Sequence, residues 1–192
     1  KKKVTNLKRL FDIIFGFLCL IVTLPLLILS IFAIKLDSIG PIFFNSIRVG
    51  YNNKNFKMLK LRTMHEGTEL IESNKIKNVN KKVTMTGKIL RKYSIDEMPQ
   101  FISVIIGDMS VVGPRPALPS QKKIIIKRKK LGINLIKPGI TGLAQINGRD
   151  KITESQKIKL DYEYLKKHNF FFDLKIILKT VFLTLKGKNI SH

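Results

Sequence analysis

An apolar run from Leu10 to Ile34, broken only by Asp12, Thr23, Pro25 and Ser30, constrains this chain more than any other feature. As a straight helix it would span about 37 Å, enough to cross a hydrocarbon core of roughly 30 Å. A secretory signal peptide would have a shorter apolar region and a small-residue cleavage site, and neither is seen. Two features set the run apart from a simple spanning helix. Pro25, mid-run, removes a backbone hydrogen bond and clashes with the preceding turn, which predicts a kink, with Thr23 available to satisfy a freed carbonyl. Both flanks are basic: Lys1, Lys2, Lys3, Lys8 and Arg9 before the run, Lys35 and Arg48 after it. The positive-inside rule is met most easily if both ends face the cytoplasm. On these residues alone, a crossing helix and a re-entrant helix bent at Pro25 are equally open.

The formal net charge of the 192 residues is +23, from 36 Lys+Arg against 13 Asp+Glu. Such an excess favours polyanionic partners: nucleic acid, anionic lipid or phosphorylated ligands. Part of it reflects a composition rich in Lys, Ile and Asn. The single cysteine, Cys19, excludes an intrachain disulfide. His65, His168 and His192 lack metal-ligand spacing, so any metal would be a hard cation held by carboxylates and phosphate.

Beyond Lys35 the pattern becomes that of a compact domain. Ile42–Phe44 and Phe56–Leu61 read as strands around the turn Gly50-Tyr51-Asn52-Asn53. Met85–Lys92 and Phe101–Ile106 read as helices, the second stopped by Gly107-Asp108; residues 65–88 give no other firm element. Gln121–Lys130 reads either as a membrane-surface helix or as a solvated charged one. Leu174, Ile177, Leu178, Val181, Phe182 and Leu185 form a helical stripe that faces either the core or a lipid interface. The expected class is α+β, mostly helical, with short strands.

Three stretches carry candidate chemistry. Asp96-Glu97 follows Ser94, and Ser94-x-x-Glu97 matches a capping box that would place both acids in a positive first helical turn. Arg91 and Lys92 lie just upstream, and a carboxylate beside cations stays ionised and can act as nucleophile or metal ligand. Val111-Val112-Gly113-Pro114-Arg115-Pro116 brackets one arginine between two prolines, giving a stiff loop suited to bidentate phosphate contact. Pro138 to Arg149 holds three glycines, Thr141, Gln145, Asn147 and a terminal Arg149. Its glycines permit close backbone approach, its neutral polar groups can read a base or sugar, and Arg149 can hold a phosphate.

Taken in order, Lys60-Leu61-Arg62-Thr63-Met64, Ser94 to Gln100, Gly107 to Pro116 and Pro138 to Arg149 resemble the signature blocks of the bacterial sugar transferase family, the minimal monotopic phosphoglycosyl transferases. The apolar N-terminus after Leu7-Lys8-Arg9, and Asp161-Tyr162 followed by Asp173-Leu174-Lys175-Ile176, are similar too. The resemblance implies a bacterial inner-membrane enzyme on the cytoplasmic face. A re-entrant helix hairpin over 1–36, broken at Thr23 and Pro25, would carry a catalytic domain with amphipathic interfacial helices over 37–192. It implies that Asp96 attacks the sugar-linked phosphorus of a UDP-sugar, releasing UMP, and that polyprenol (undecaprenyl) phosphate then takes the sugar-phosphate. Glu97 would assist, Asp96 and Glu97 would hold Mg2+, and Lys60, Arg62, Arg91, Arg115, Thr141, Gln145, Asn147 and Arg149 would bind substrate. Anionic phospholipid is an expected partner and nucleic acid is not. Departures from the family pattern are Leu143 where an aromatic is common, Met98 for leucine and Leu24-Pro25 for Ser-Pro. The rival reading is a membrane-tethered nucleic-acid or anionic-lipid binding module without catalysis.

Overall fold

A computed structural model describes residues 6–68, 79–148 and 151–186. The apolar run is one helix, α1 (Asn6–Asp37), which continues through Pro25. It is the one helix among the described residues long and apolar enough to cross a membrane. Thr23 Oγ1 donates to the Cys19 carbonyl at 2.7 Å, and Ser30 Oγ to that of Leu26 at 2.7 Å. The carbonyl that loses its amide donor at Pro25 is Ile21's. Thr23 therefore satisfies a different carbonyl from the one its proximity to Pro25 suggested.

Asp12, Gly16, Leu27, Ser30 and Ile34 are buried and recur at helical spacing, so one stripe of α1 faces the rest of the chain. Leu18, Ile21, Val22, Leu24, Leu29 and Phe32 face outward. Both ends of α1 are tied to the same domain. At the start, Lys8 pairs with Asp173 at 2.5 Å, and Arg9 donates to the carbonyls of Val104 and Ile105 at 2.6 and 2.5 Å. Asp12 Oδ1 accepts from Ser110 Oγ and from the Val111 amide, each at 3.0 Å. At the other end, Asp37 Oδ2 accepts from the Thr86 amide at 2.8 Å.

The hairpin strands are β1 (Phe43–Val49) and β2 (Asn55–Leu61), antiparallel from Phe43↔Leu61 to Val49↔Asn55. The first strand is longer than its sequence suggested: Asn45 to Val49 continue it by pairing with β2 as far as Asn55. Next come α2 (Val79–Lys82), α3 (Met85–Lys92) and α4 (Gln100–Ile106), the last ending at Gly107 with φ +103°. Then follow β3 (Ser110–Val112), the basic α5 (Lys122–Lys130), β4 (Gly139–Thr141), α6 (Leu143–Ile146), α7 (Glu154–Lys167) and α8 (Phe170–Leu185). β3 and β4 pair in parallel, Ser110 with Gly139 and Val112 with Thr141. This pair and α7 left no recognised mark in the sequence pattern. A capping box opens α7, where Thr153 and Gln156 satisfy each other's backbone amides.

The mostly helical class with short strands is what forms. One core cluster gathers Met58, Val104, Val111, Val112, Tyr164, Ile176 and Ile177 from five elements, together with Met109 from the connection between α4 and β3. A second joins Leu27 and Ile34 of α1 to Leu61, Leu90 and Ile95. The stripe on α8 turns mostly outward: Ile177 is buried, while Leu178, Val181, Phe182 and Leu185 are more than half exposed.

Candidate active site

Asp96 and Glu97 sit in a single 3-10 turn, Ile95–Glu97, with both side chains buried. Ser94 holds φ +55° and caps nothing with its side chain, so the capping box expected there does not form. The true helix start is α4, with Pro99 at its N-cap. Proline carries no amide hydrogen, and at a helix start none is needed. The acids thus lie just ahead of a helix rather than within its first turn.

Two cations converge on this turn. Lys60 projects from β2 and places Nζ 2.7 Å from Glu97 Oε1 and 3.8 Å from Asp96 Oδ2. Arg115 brings a guanidinium nitrogen to 2.9 Å from the same Glu97 oxygen. Burial lowers the Lys60 pKa below the usual lysine value, the Glu97 and Asp96 carboxylates oppose that shift, and Arg115 adds to it. Glu97 is therefore a carboxylate held between two cations, and Asp96 has the longer of the two lysine contacts.

The Arg115 loop is pinned through its main chain. The Pro114 carbonyl accepts from the Gly139 amide at 3.0 Å. The Arg115 carbonyl accepts from Arg128 at 2.8 Å, and that of Pro116 from Arg48 at 3.5 Å. Arg128 is itself fixed by two bonds to Asp161 Oδ2, at 3.0 and 2.6 Å. Burial raises the Asp161 pKa while Arg128 pulls it down. The glycines of the last two sequence blocks let their backbones touch. A Cβ on Gly113 would lie 2.4 Å from the Lys137 oxygen, and one on Gly142 would lie 2.1 Å from the Gly113 oxygen.

The other sequence-derived candidates divide: Thr141 and Gln145 share a cavity lining with Glu97 and Arg115, and Arg62, Arg91 and Asn147 do not. Arg62 is buried and donates to the Ser38 and Ile39 carbonyls at 2.7 Å each, so it clasps the end of α1 and lies outside the acid cluster. Arg91 occupies the last turn of α3, half-buried, on an element that packs beside the Ile95–Glu97 turn. Thr141 is buried with its hydroxyl 2.6 Å from that of Thr180. Neither polar atom of the Gln145 amide has a partner among the described residues, although both are shielded. Asn147 turns back to the Leu143 carbonyl at 2.8 Å and is exposed. Arg149 lies outside the described residues. Sequence reasoning did not place Arg128 or Asp161 at the site; the scarcity of acids in so basic a chain was the available signal for Asp161.

A cavity of about 290 Å³ opens beside this cluster. Phe15, Cys19 and Thr23 of α1 form one wall, and Ile177, Thr180, Val181, Thr184 and Leu185 of α8 another. Ser94, Glu97, Met98, Phe101, Val111, Arg115, Ile140, Thr141, Gln145 and Ile146 complete it. Glu97 and Arg115 are the charged groups on its lining. Among the described residues no three acid, His or Cys side chains converge as a metal cage. Two adjacent carboxylates fit a hard cation that takes its remaining oxygens from a bound diphosphate.

A buried carboxylate pair flanked by cations, beside an apolar cavity walled in part by a membrane-length helix, suits a protein that handles phosphorylated substrates with an apolar part. The chain belongs to the bacterial sugar transferase family, whose model matches residues 3–187. It is 39% identical over 186 residues to the uncharacterized sugar transferase EpsL of Bacillus subtilis, covering 97% of this chain and 91% of that protein. It is 34% identical over 190 residues to the exopolysaccharide production protein ExoY of Rhizobium meliloti, covering 91% and 83%. The UDP-glucose:undecaprenyl-phosphate glucose-1-phosphate transferase of Escherichia coli is 39% identical over 188 residues, covering 92% of this chain but 39% of that longer protein.

Proposed function

We propose that this enzyme transfers a sugar-1-phosphate from a UDP-sugar to polyprenol phosphate, with Asp96 as nucleophile. The observation that carries the reading is the buried Asp96-Glu97 turn between Lys60 and Arg115, opening on an apolar cavity. In the first half-reaction an Asp96 oxygen attacks the sugar-linked phosphorus. The bond from that phosphorus to the bridging oxygen breaks, UMP leaves with the electron pair, and an aspartyl phospho-sugar remains. In the second, a phosphate oxygen of the acceptor attacks the same phosphorus and the Asp96 carboxylate is regenerated. Each displacement is easier than direct transfer between two anions. Lys60 and Arg115, held in place by Glu97, supply positive charge where the phosphates meet. Asp96 and Glu97 would hold Mg2+ together with diphosphate oxygens, and the ion would neutralise charge on the leaving phosphate.

The membrane arrangement has its own support. A straight crossing helix with both ends tied to one domain would draw that domain into the bilayer. A re-entrant α1, bent near Pro25, keeps both ends and the site at one face, which for this reading is the cytoplasmic face of the inner membrane. The outward apolar residues of α8 fit an interfacial helix beside anionic phospholipid.

The test is UMP release from a panel that includes UDP-glucose and UDP-N-acetylgalactosamine. Asp96→Asn should lower turnover by about a thousandfold or more, since it removes the nucleophile and keeps the shape. Label from the UDP-sugar should stay on the native protein when acceptor is left out, and not on Asp96→Asn. Near-native turnover in that variant would sink the assignment. Salt-sensitive binding to duplex DNA without UMP release would favour the polyanion-binding alternative.

A further inference from the structure

We infer that the cavity between α1 and α8 is the subsite for the phosphate-proximal isoprene units of the acceptor lipid, with the Gln145 amide nitrogen donating to its phosphate end. The inference rests on the function proposed above. Its volume of about 290 Å³ lies at the small end of ligand pockets, so it takes the start of a chain and not a whole polyprenol.

The chemistry of the wall selects the occupant. Phe15, Phe101, Ile177, Val181 and Leu185 offer carbon, and the hydroxyls of Thr23 and Thr180 are bound to main-chain carbonyls of their own helices. A nucleoside diphosphate could bring a phosphate to Arg115 and Gln145, but its base and ribose would lose hydration against the carbon wall without gaining partners there. An isoprenoid has nothing to lose there. The charged groups, Glu97 and Arg115, share the wall with Gln145, so a lipid whose head is a phosphate meets cation and amide where its apolar chain begins.

Gln145 is an independent sign of a ligand. Its amide is shielded, and both polar atoms lack partners among the described residues. A buried amide left so is costly, and a phosphate oxygen accepting from Nε2 removes part of the cost. The mouth gives the source of the occupant. Val181 and Leu185 line the cavity and are also more than half exposed, and Leu18 and Val22 of α1 are more than half exposed as well. Part of the lining is thus also apolar outer surface of α8, and the acceptor would enter past it from the membrane.

Cys19, the chain's single cysteine, stands on the cavity wall and reports on it without any substitution. The experiment follows alkylation of Cys19 by N-ethylmaleimide, read by intact mass, in protein reconstituted in phosphatidylglycerol vesicles. Undecaprenyl phosphate should slow alkylation about fivefold or more at saturation. Unphosphorylated undecaprenol or a UDP-sugar at the same concentration should leave it little changed. Gln145→Leu, which removes only an unsatisfied amide, should alkylate at the native rate without ligand and need about tenfold more undecaprenyl phosphate for the same protection. Unchanged alkylation with undecaprenyl phosphate, in a preparation that releases UMP, would overturn the subsite and leave the transferase reading intact. Protection by the UDP-sugar instead would give the cavity to the donor and also overturn it. Failure to release UMP from any UDP-sugar would count against the transferase reading itself.

Discussion

Lys60 is the residue at which burial and charge oppose each other most directly. Its pKa lies below the ordinary 10.5, because burial disfavours the ammonium more than Glu97 and Asp96 favour it. The ammonium therefore gives up its proton at lower pH than a solvated lysine does. Above that point the Lys60–Glu97 ion pair is lost, while Arg115 remains beside Glu97. Turnover should accordingly fall on the alkaline side below pH 10.5, and Lys60→Arg should move that fall upward because guanidinium stays protonated. A rate profile from pH 7 to 10.5 on both proteins decides it, and coincident alkaline limbs would remove Lys60 from the account. Arg128 acts one step further out. It holds the Arg115 carbonyl while paired with Asp161. Arg128→Lys keeps a cation beside Asp161 but cannot bond both groups, so kcat should drop about tenfold with a small change in melting temperature. Arg128→Ala should instead cost about 3–5 kcal/mol of stability, since it leaves a buried carboxylate unpaired. Denaturant melts and rates on the two variants separate positioning from folding.

At the scale of elements, α8 shows how a periodic stripe can mislead. Helical spacing of Leu174, Ile177, Leu178, Val181, Phe182 and Leu185 identified the helix correctly but left its facing open. The face packed on the core instead carries Asp173, Ile176 and Ile177, with Asp173 bound by Lys8 and by Tyr164. A buried acid on the inner face and exposed leucine and phenylalanine on the outer one invert the pattern of a water-soluble domain. A bimane label at Leu178, in a Cys19→Ser background, should shift to the blue when the protein enters vesicles. The same label at Lys159, exposed on α7, should not. Equal emission at both positions would make the α8 face aqueous.

For the whole molecule, the decisive contacts run between residues 24 to 165 positions apart. Lys8, Arg9 and Asp12 bind α4, β3 and α8, while Asp37 and the clasp from Arg62 hold the other end of α1. Single cysteines at Asn6 and Ser38, again without Cys19, should both be shielded from an impermeant thiol reagent in intact cells. Both should label once the membrane is opened. Labelling of Asn6 alone in intact cells would establish a crossing helix.

Local signals were enough for much of this protein. The apolar run required a membrane-length helix, glycine and turn residues marked the ends of short elements, and four motif blocks in order pointed to the family. Those signals lie within a few residues of one another, where backbone preference and periodicity act. What they could not reach was the meeting of distant groups. Arg62 and Arg115 belong to equally suggestive blocks, yet one clasps α1 and the other meets Glu97. The parallel pairing of β3 with β4, the Arg128–Asp161 support of the Arg115 loop and the cavity between α1 and α8 likewise exist only after long-range packing. Three-residue strands carry almost no pattern of their own, and a side chain's partner is decided by whichever buried charge or carbonyl the fold brings within about 3 Å of it.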